Sequence, residues 1–166
     1  GVREDLRPLM KERIDQMRPY LGKLSPDELV AIFGYTTNDY TKLNDAMRGK
    51  LSPQETAALQ PYIDRLKSGL AKLPDYEGTI FRGTQMSEGR FEKMQSDYAN
   101  DTLTSDDAVS STTSSEGVSE RSEYMDLDGS EAKEGRVKVK EVIVSKTGKD
   151  IWPLSDKADE QEVLFQ

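Results

Sequence analysis

Between Leu6 and Leu21 the apolar residues Leu6, Leu9, Met10, Ile14, Met17 and Leu21 recur every three or four positions, the spacing of one face of an α-helix. Two later segments carry start signals. Ser25-Pro26-Asp27-Glu28 and Ser52-Pro53-Gln54-Glu55 each place serine at the cap, proline in the first turn and glutamate three residues on. Between them the pattern predicts a shorter helix from Asn38 to Arg48, capped by the asparagine, striped by Tyr40, Leu43 and Met47, and stopped at Gly49. Residues 1–73 are therefore read as a helical part. After Leu73-Pro74 the character changes, and residues 74–166 read as short strands of the same domain. Gly78-Thr79-Ile80-Phe81-Arg82-Gly83 is β-prone and bounded by glycines, and Val137 to Val144 begins with alternation and ends apolar. Ile151-Trp152 and Val163-Leu164-Phe165 add further β segments, Lys146-Thr147-Gly148-Lys149 predicts a hairpin turn, and the polar stretch from Ser105 to Ser122 reads as a solvated loop or strand edge.

At 166 residues the chain accommodates one compact domain, and 34% hydrophobic against 33% charged residues implies a modest core. The net charge of -8 disfavours coating a phosphate backbone, although a local basic patch could still steer a nucleic acid. No apolar run is long enough to span a bilayer, and the N-terminus has no basic-plus-apolar signal, so no membrane partner is expected. The absence of Cys and His changes the picture more: thiol chemistry, histidine triads, disulfides and the usual zinc sites are excluded, and no metal is expected. Any chemistry must come from carboxylates, hydroxyls, Arg, Lys or Tyr.

Three separated pieces fit that restriction: Phe81-Arg82-Gly83-Thr84 after a predicted strand, Ser111-Thr112-Thr113 in the polar middle, and Glu160-Gln161-Glu162 entering the last strand. Singly, each has a bland reading as surface cation, loop or solvated charge. Together and in this order they resemble the three-part signature of mono-ADP-ribosyltransferases of the arginine-serine-glutamate class, of the bacterial exoenzyme type. The resemblance extends to Tyr40 through Gly49, to Leu70-Ala71-Lys72-Leu73-Pro74, and to Lys146 through Phe165, covering about Leu29 to Phe165. Thr113 stands where that pattern usually has Ser.

The resemblance implies an α+β fold, with N-terminal helices packed on two small, mostly antiparallel sheets and an NAD+ cleft between them. It implies NAD+ as co-substrate, held by Arg82, Gly83, Thr84, Ser111, Thr112, Thr113 and Glu162. The planar guanidinium of Arg82 suits phosphate or ribose oxygens, and Gly83 permits close backbone approach. Ser111 would orient Glu162, which would stabilise the cationic ribose carbon as nicotinamide leaves. Residues two apart in a strand face one side, so Glu160 would share the cleft with Glu162 and position or deprotonate the acceptor. Glu at that first position goes with arginine acceptors in this family, which makes a target protein the expected partner. A cognate immunity protein and delivery by a bacterium into a target cell accompany this reading. Transfer to structured RNA, NAD+ glycohydrolysis and a non-enzymatic NAD-binding module remain as alternatives.

Trp152 is expected to pack in the core of its strand, and Tyr124 to be a buried structural residue. Glu162 to Gln166 also match the remnant of a picornaviral protease tag, but such a tag carries Leu where this chain has Gln161, and the family reads Glu-x-Glu-Val-Leu here. Glu162 is therefore read as native. A further strand is expected after Gln166, without which the catalytic strand would be an unpaired edge.

Overall fold

The computed structural model describes residues 3–102, 106–120 and 135–165. Tyr124 lies outside them. The N-terminal half is helical and the C-terminal half is built on antiparallel strands, the α+β division that the change at Leu73-Pro74 predicts. Helices α3 (Pro26–Gly34), α4 (Tyr40–Met47) and α5 (Pro53–Ala71) follow α1 (Arg7–Lys11) and α2 (Ile14–Met17). Both predicted capping boxes form: Ser25 Oγ accepts from the Glu28 amide while Glu28 accepts from the Ser25 amide, and Ser52 with Glu55 repeats the exchange. Leu29 to Phe33 of α3 are all buried, and they join Leu43, Leu66 and Leu70 with Ile151, Leu154 and Leu164 of the other half in one core. Helices and strands are thereby packed as a single unit.

The helical stripe from Leu6 to Leu21 is not one helix. It breaks into 3-10 turns at Glu4–Leu6 and Arg18–Tyr20 around α1 and α2: Pro8 and Pro19, which lack an amide, stand in the first turns of α1 and of the second 3-10 turn, and Arg13 leaves helical geometry between α1 and α2. The stripe still buries Leu6, Met10 and Met17, while Leu9 and Leu21 are exposed. Nor does Asn38 cap α4. A kink at Tyr35–Asp39 joins α3 to α4, with Thr37 outside helical geometry at φ -80 and ψ -141. The hydroxyls of Thr36 and Thr37 donate back to the carbonyls of Phe33 and Gly34, both at 2.6 Å, and take over acceptors that the backbone ladder would use.

The strands form two antiparallel pairs. β1 (Asp75–Ser87) runs against β3 (Arg136–Asp150) from Asp75 opposite Lys149 to Ser87 opposite Arg136, and β2 (Ser110–Thr113) runs against β4 (Glu162–Phe165). The pairs join where Phe81 faces Thr113 and where Lys149 and Asp150 face Leu164 and Val163, so the two expected sheets close into one ring in the order β1-β2-β4-β3. β4 thus has a neighbour on each side and is not the unpaired edge expected from sequence.

Other expectations are corrected. Lys146 to Lys149 is no hairpin turn: β3 continues to Asp150, and Gly148 sits opposite Tyr76. Its glycine serves close approach, since a Cβ there would lie 2.7 Å from Val163 and 2.8 Å from Phe165. Ile151 and Trp152 leave the strand for a 3-10 turn, Trp152–Leu154, in which Ile151 is buried and the indole is 43% exposed, so Trp152 is not a core residue. The β-rich half also contains helix α6 (Glu88–Ala99), and α7 (Glu116–Ser119) lies within the stretch read as loop.

Candidate active site

β1, β2 and β4 meet the Tyr35–Asp39 kink and α4 around a cavity of about 430 Å³. Every site residue expected from sequence lines it: Arg82, Gly83 and Thr84 from β1, Ser111, Thr112 and Thr113 from β2, Glu160 and Glu162 from the turn and start of β4. Three pieces distant in the chain are gathered by the ring closure that brings Phe81 opposite Thr113 and Thr113 opposite Glu162.

Ser111 is open to the cleft, and its Oγ donates to Glu162 Oε1 at 2.6 Å. Serine and glutamate lie on adjacent strands, two positions out of direct register, a diagonal that a long side chain spans. The two threonines fix the backbone beneath: Thr112 Oγ1 donates to the Val163 carbonyl at 2.7 Å, and Thr113 Oγ1 to the Glu160 carbonyl at 2.6 Å. Thr113 also accepts from the Ser115 amide, so the hydroxyl standing in the usual serine position keeps a complete set of partners.

Glu160 and Glu162 reach one cleft by a different route from strand alternation. Glu160 ends a 3-10 turn, Ala158–Glu160, and β4 begins at Glu162. Gln161 between them has φ 46, a left-handed conformation uncommon for a residue with a side chain, and this turn swings both carboxylates inward. Both are largely buried, at 9% and 6% exposure. Burial pushes the Glu162 carboxyl up to about 7; the Ser111 hydrogen bond opposes the rise, nearby Glu160 adds to it and the Lys157 ammonium opposes it. Glu162 is therefore a carboxyl poised to ionise near neutral pH when positive charge arrives.

The cavity is also lined by residues that sequence reasoning left outside the site: Tyr35, Thr36, Tyr40, Asn44 and Arg48 of the helical half, and Lys157 just before Glu160. Tyr35 is buried and donates to the Val109 carbonyl at 2.9 Å while accepting from Asn44 Nδ2 at 3.1 Å, linking α4 to the residue just before β2. Burial foremost, and the charge of Glu162, hold its hydroxyl above its ordinary range. Arg48 makes a two-point ion pair with Asp106, at 2.6 and 3.1 Å. The signal for Tyr40, Asn44 and Arg48 was present in the Tyr40–Gly49 segment. Lys157 lies three residues before Glu160, in the Leu154–Asp159 loop that the resemblance equates with target recognition; Tyr35 carried no signal, because only tertiary packing brings it to the cleft.

A helical layer packed on an antiparallel ring, with a serine-held glutamate and an arginine across one cleft, is the arrangement of the ADP-ribosyltransferase fold. The family model of the ADP-ribosyltransferase exoenzymes matches residues 13–166, and the chain belongs to that family. It is 32% identical over 145 residues to the NAD(+)-protein-arginine ADP-ribosyltransferase Tre1 of Serratia proteamaculans, covering 86% of this chain and 27% of the relative. Mav of Mycobacterium avium, named as an NAD(+)-arginine ADP-ribosyltransferase, is 32% identical over 146 residues, 87% of this chain and 15% of its own. The chain thus spans about a quarter or less of these two relatives. Among solved structures, Vis of Vibrio splendidus in complex with agmatine superposes with a TM-score of 0.65 at 24% identity, over 99% of this chain and 75% of that one.

Proposed function

We propose that the chain transfers the ADP-ribosyl group of NAD+ to a guanidinium, that of an arginine on a target protein, and releases nicotinamide. The observation that carries this reading is the 2.6 Å hydrogen bond from Ser111 to Glu162 in a cavity that Arg82 and Glu160 also line. NAD+ supplies a ribose carbon bonded to a good leaving group, and the residues of the cleft match what that bond's cleavage requires. Arg82 holds pyrophosphate or ribose oxygens with its planar fork, beside a backbone that Gly83 leaves accessible and that Thr84 extends. Glu162, held by Ser111 above the backbone that Thr112 and Thr113 fix, faces the ribose carbon and stabilises the positive charge growing there. Glu160 accepts the proton of the attacking guanidinium: the bond from ribose carbon to nicotinamide nitrogen breaks, the bond to guanidinium nitrogen forms, and the proton moves to the carboxylate.

Three things support arginine as acceptor: Glu at position 160, the arginine in the relatives' names, and agmatine, an arginine analogue, in the structure of Vis. Export from a bacterium, action inside a recipient cell and an immunity protein over the cleft belong to the same proposal. Incubation of the protein and of Glu162→Gln with labelled NAD+, agmatine and cell lysate tests it. Label on agmatine and on protein arginine, lost in the variant, is the expected result. Label confined to RNA moves the acceptor, and nicotinamide release without any label leaves glycohydrolysis in its place.

A further inference from the structure

We infer that the Lys157 ammonium occupies the subsite of the acceptor's cation, so that an incoming guanidinium must displace it and Lys157 sets how strongly the cleft accepts such a group. This rests on the proposed transfer to a guanidinium and adds to it a specificity-determining residue.

Lys157 precedes the 3-10 turn Ala158–Glu160, and that geometry sets its Nζ 3.7 Å from Glu160 Oε1. Both residues line the cavity. The two partners differ in burial: the Glu160 side chain is 11% exposed and the Lys157 side chain 48%. The carboxylate is enclosed and the ammonium reaches it from the solvent side. At 3.7 Å the pair is an ion pair without a hydrogen bond, unlike Lys72 on Glu28 or Lys140 on Glu116, which close to 2.7 and 2.6 Å. Its charge also acts on the Glu162 carboxyl, against the rise that burial causes. The backbone beneath the lysine is pinned. Asp156 N donates to Thr36 Oγ1 at 2.8 Å, Lys157 N donates to Ser155 Oγ at 3.0 Å, and Arg13 donates to the Ser155 carbonyl. Displacement therefore requires movement of the lysine side chain alone.

A guanidinium in transfer position needs Glu160 for its proton and Glu162 beyond it, the same two carboxyls on which the Lys157 charge acts. Two like cations in one subsite repel, so the resting ammonium weakens acceptor binding by the strength of its own attachment. An exposed ion pair of this kind corresponds to roughly a two- to fivefold change in affinity.

The test is calorimetric titration of agmatine into the protein, Lys157→Met and Lys157→Arg, with nicotinamide release from NAD+ measured on the same samples. The inference expects the agmatine Kd of Lys157→Met to fall roughly two- to fivefold while that of Lys157→Arg stays at the parent value, since arginine keeps the charge. An unchanged or higher Kd in Lys157→Met overturns it, as does weaker NAD+ binding in that variant with agmatine unaffected, which would make Lys157 a dinucleotide contact. Absence of nicotinamide release from the parent protein overturns the proposed reaction instead, and the agmatine titration still decides the role of Lys157.

Discussion

Glu162 is a charge kept where charge is costly, and its substitution should show that cost. Its value of about 7, against an ordinary 4.5, means that the folded protein holds a proton the unfolded chain has already released. Stability from this group is therefore full below pH 4.5 and lost as pH rises through 7. We expect Glu162→Gln to abolish transfer yet to melt several degrees above the parent at pH 8, a gain on the order of 3 kcal/mol, and to lose that advantage at pH 4.5. Thermal melts at the two pH values check it. Ser111→Ala removes the hydrogen bond that opposes the rise. The acid limb of its pH–rate profile should move upward by about one pH unit, measured as nicotinamide release; an unshifted limb would separate Ser111 from the titration of Glu162.

The helical elements are anchored by another carboxylate in the opposite state. Glu28 is buried; burial alone would raise its carboxyl, but hydrogen bonds from Lys72, Ser68 and the Ser25 amide outweigh that and hold it at about 2. The stability it contributes is present above pH 4.5 and lost as pH falls toward 2. Glu28→Gln should cost roughly 2–3 kcal/mol at pH 7 by denaturant unfolding, and much less near pH 2. In the ring, Gly148→Ala should destabilise β4 and lower activity with it, because its Cβ would collide with Val163 and Phe165. Elements like α3 and α5 were legible because their caps are local chemistry written in four residues. α6 was passed over although Phe91, Met94 and Tyr98 have helical spacing, since it has no buried residue and no strong apolar face. The turn assigned at Lys146–Lys149 failed because a glycine needed for close packing looks the same in sequence as a glycine needed for a bend.

The whole molecule carries information that no segment contains. Arg82, Ser111 and Glu162 were readable as a set only through their order, while the wall built by Tyr35 depends on packing between the two halves. One tie between those halves is Arg13, which donates to the Ser155 carbonyl and lies over the Phe33 ring at 5.9 Å. We expect Arg13→Ala to reduce transfer to agmatine by roughly tenfold, with a smaller loss of nicotinamide release, since it loosens the loop before Glu160 more than β4. Equal losses in the two assays would assign Arg13 to folding alone. The left-handed Gln161 has a wider meaning. Because a bend rather than the pleat aims Glu160, position 160 lies outside the ladder that secures Glu162. On the proposed roles, the bond-breaking carboxylate and the acceptor-choosing one are thus separate modules two residues apart, and the second can be exchanged to suit a new acceptor while the first stays in register.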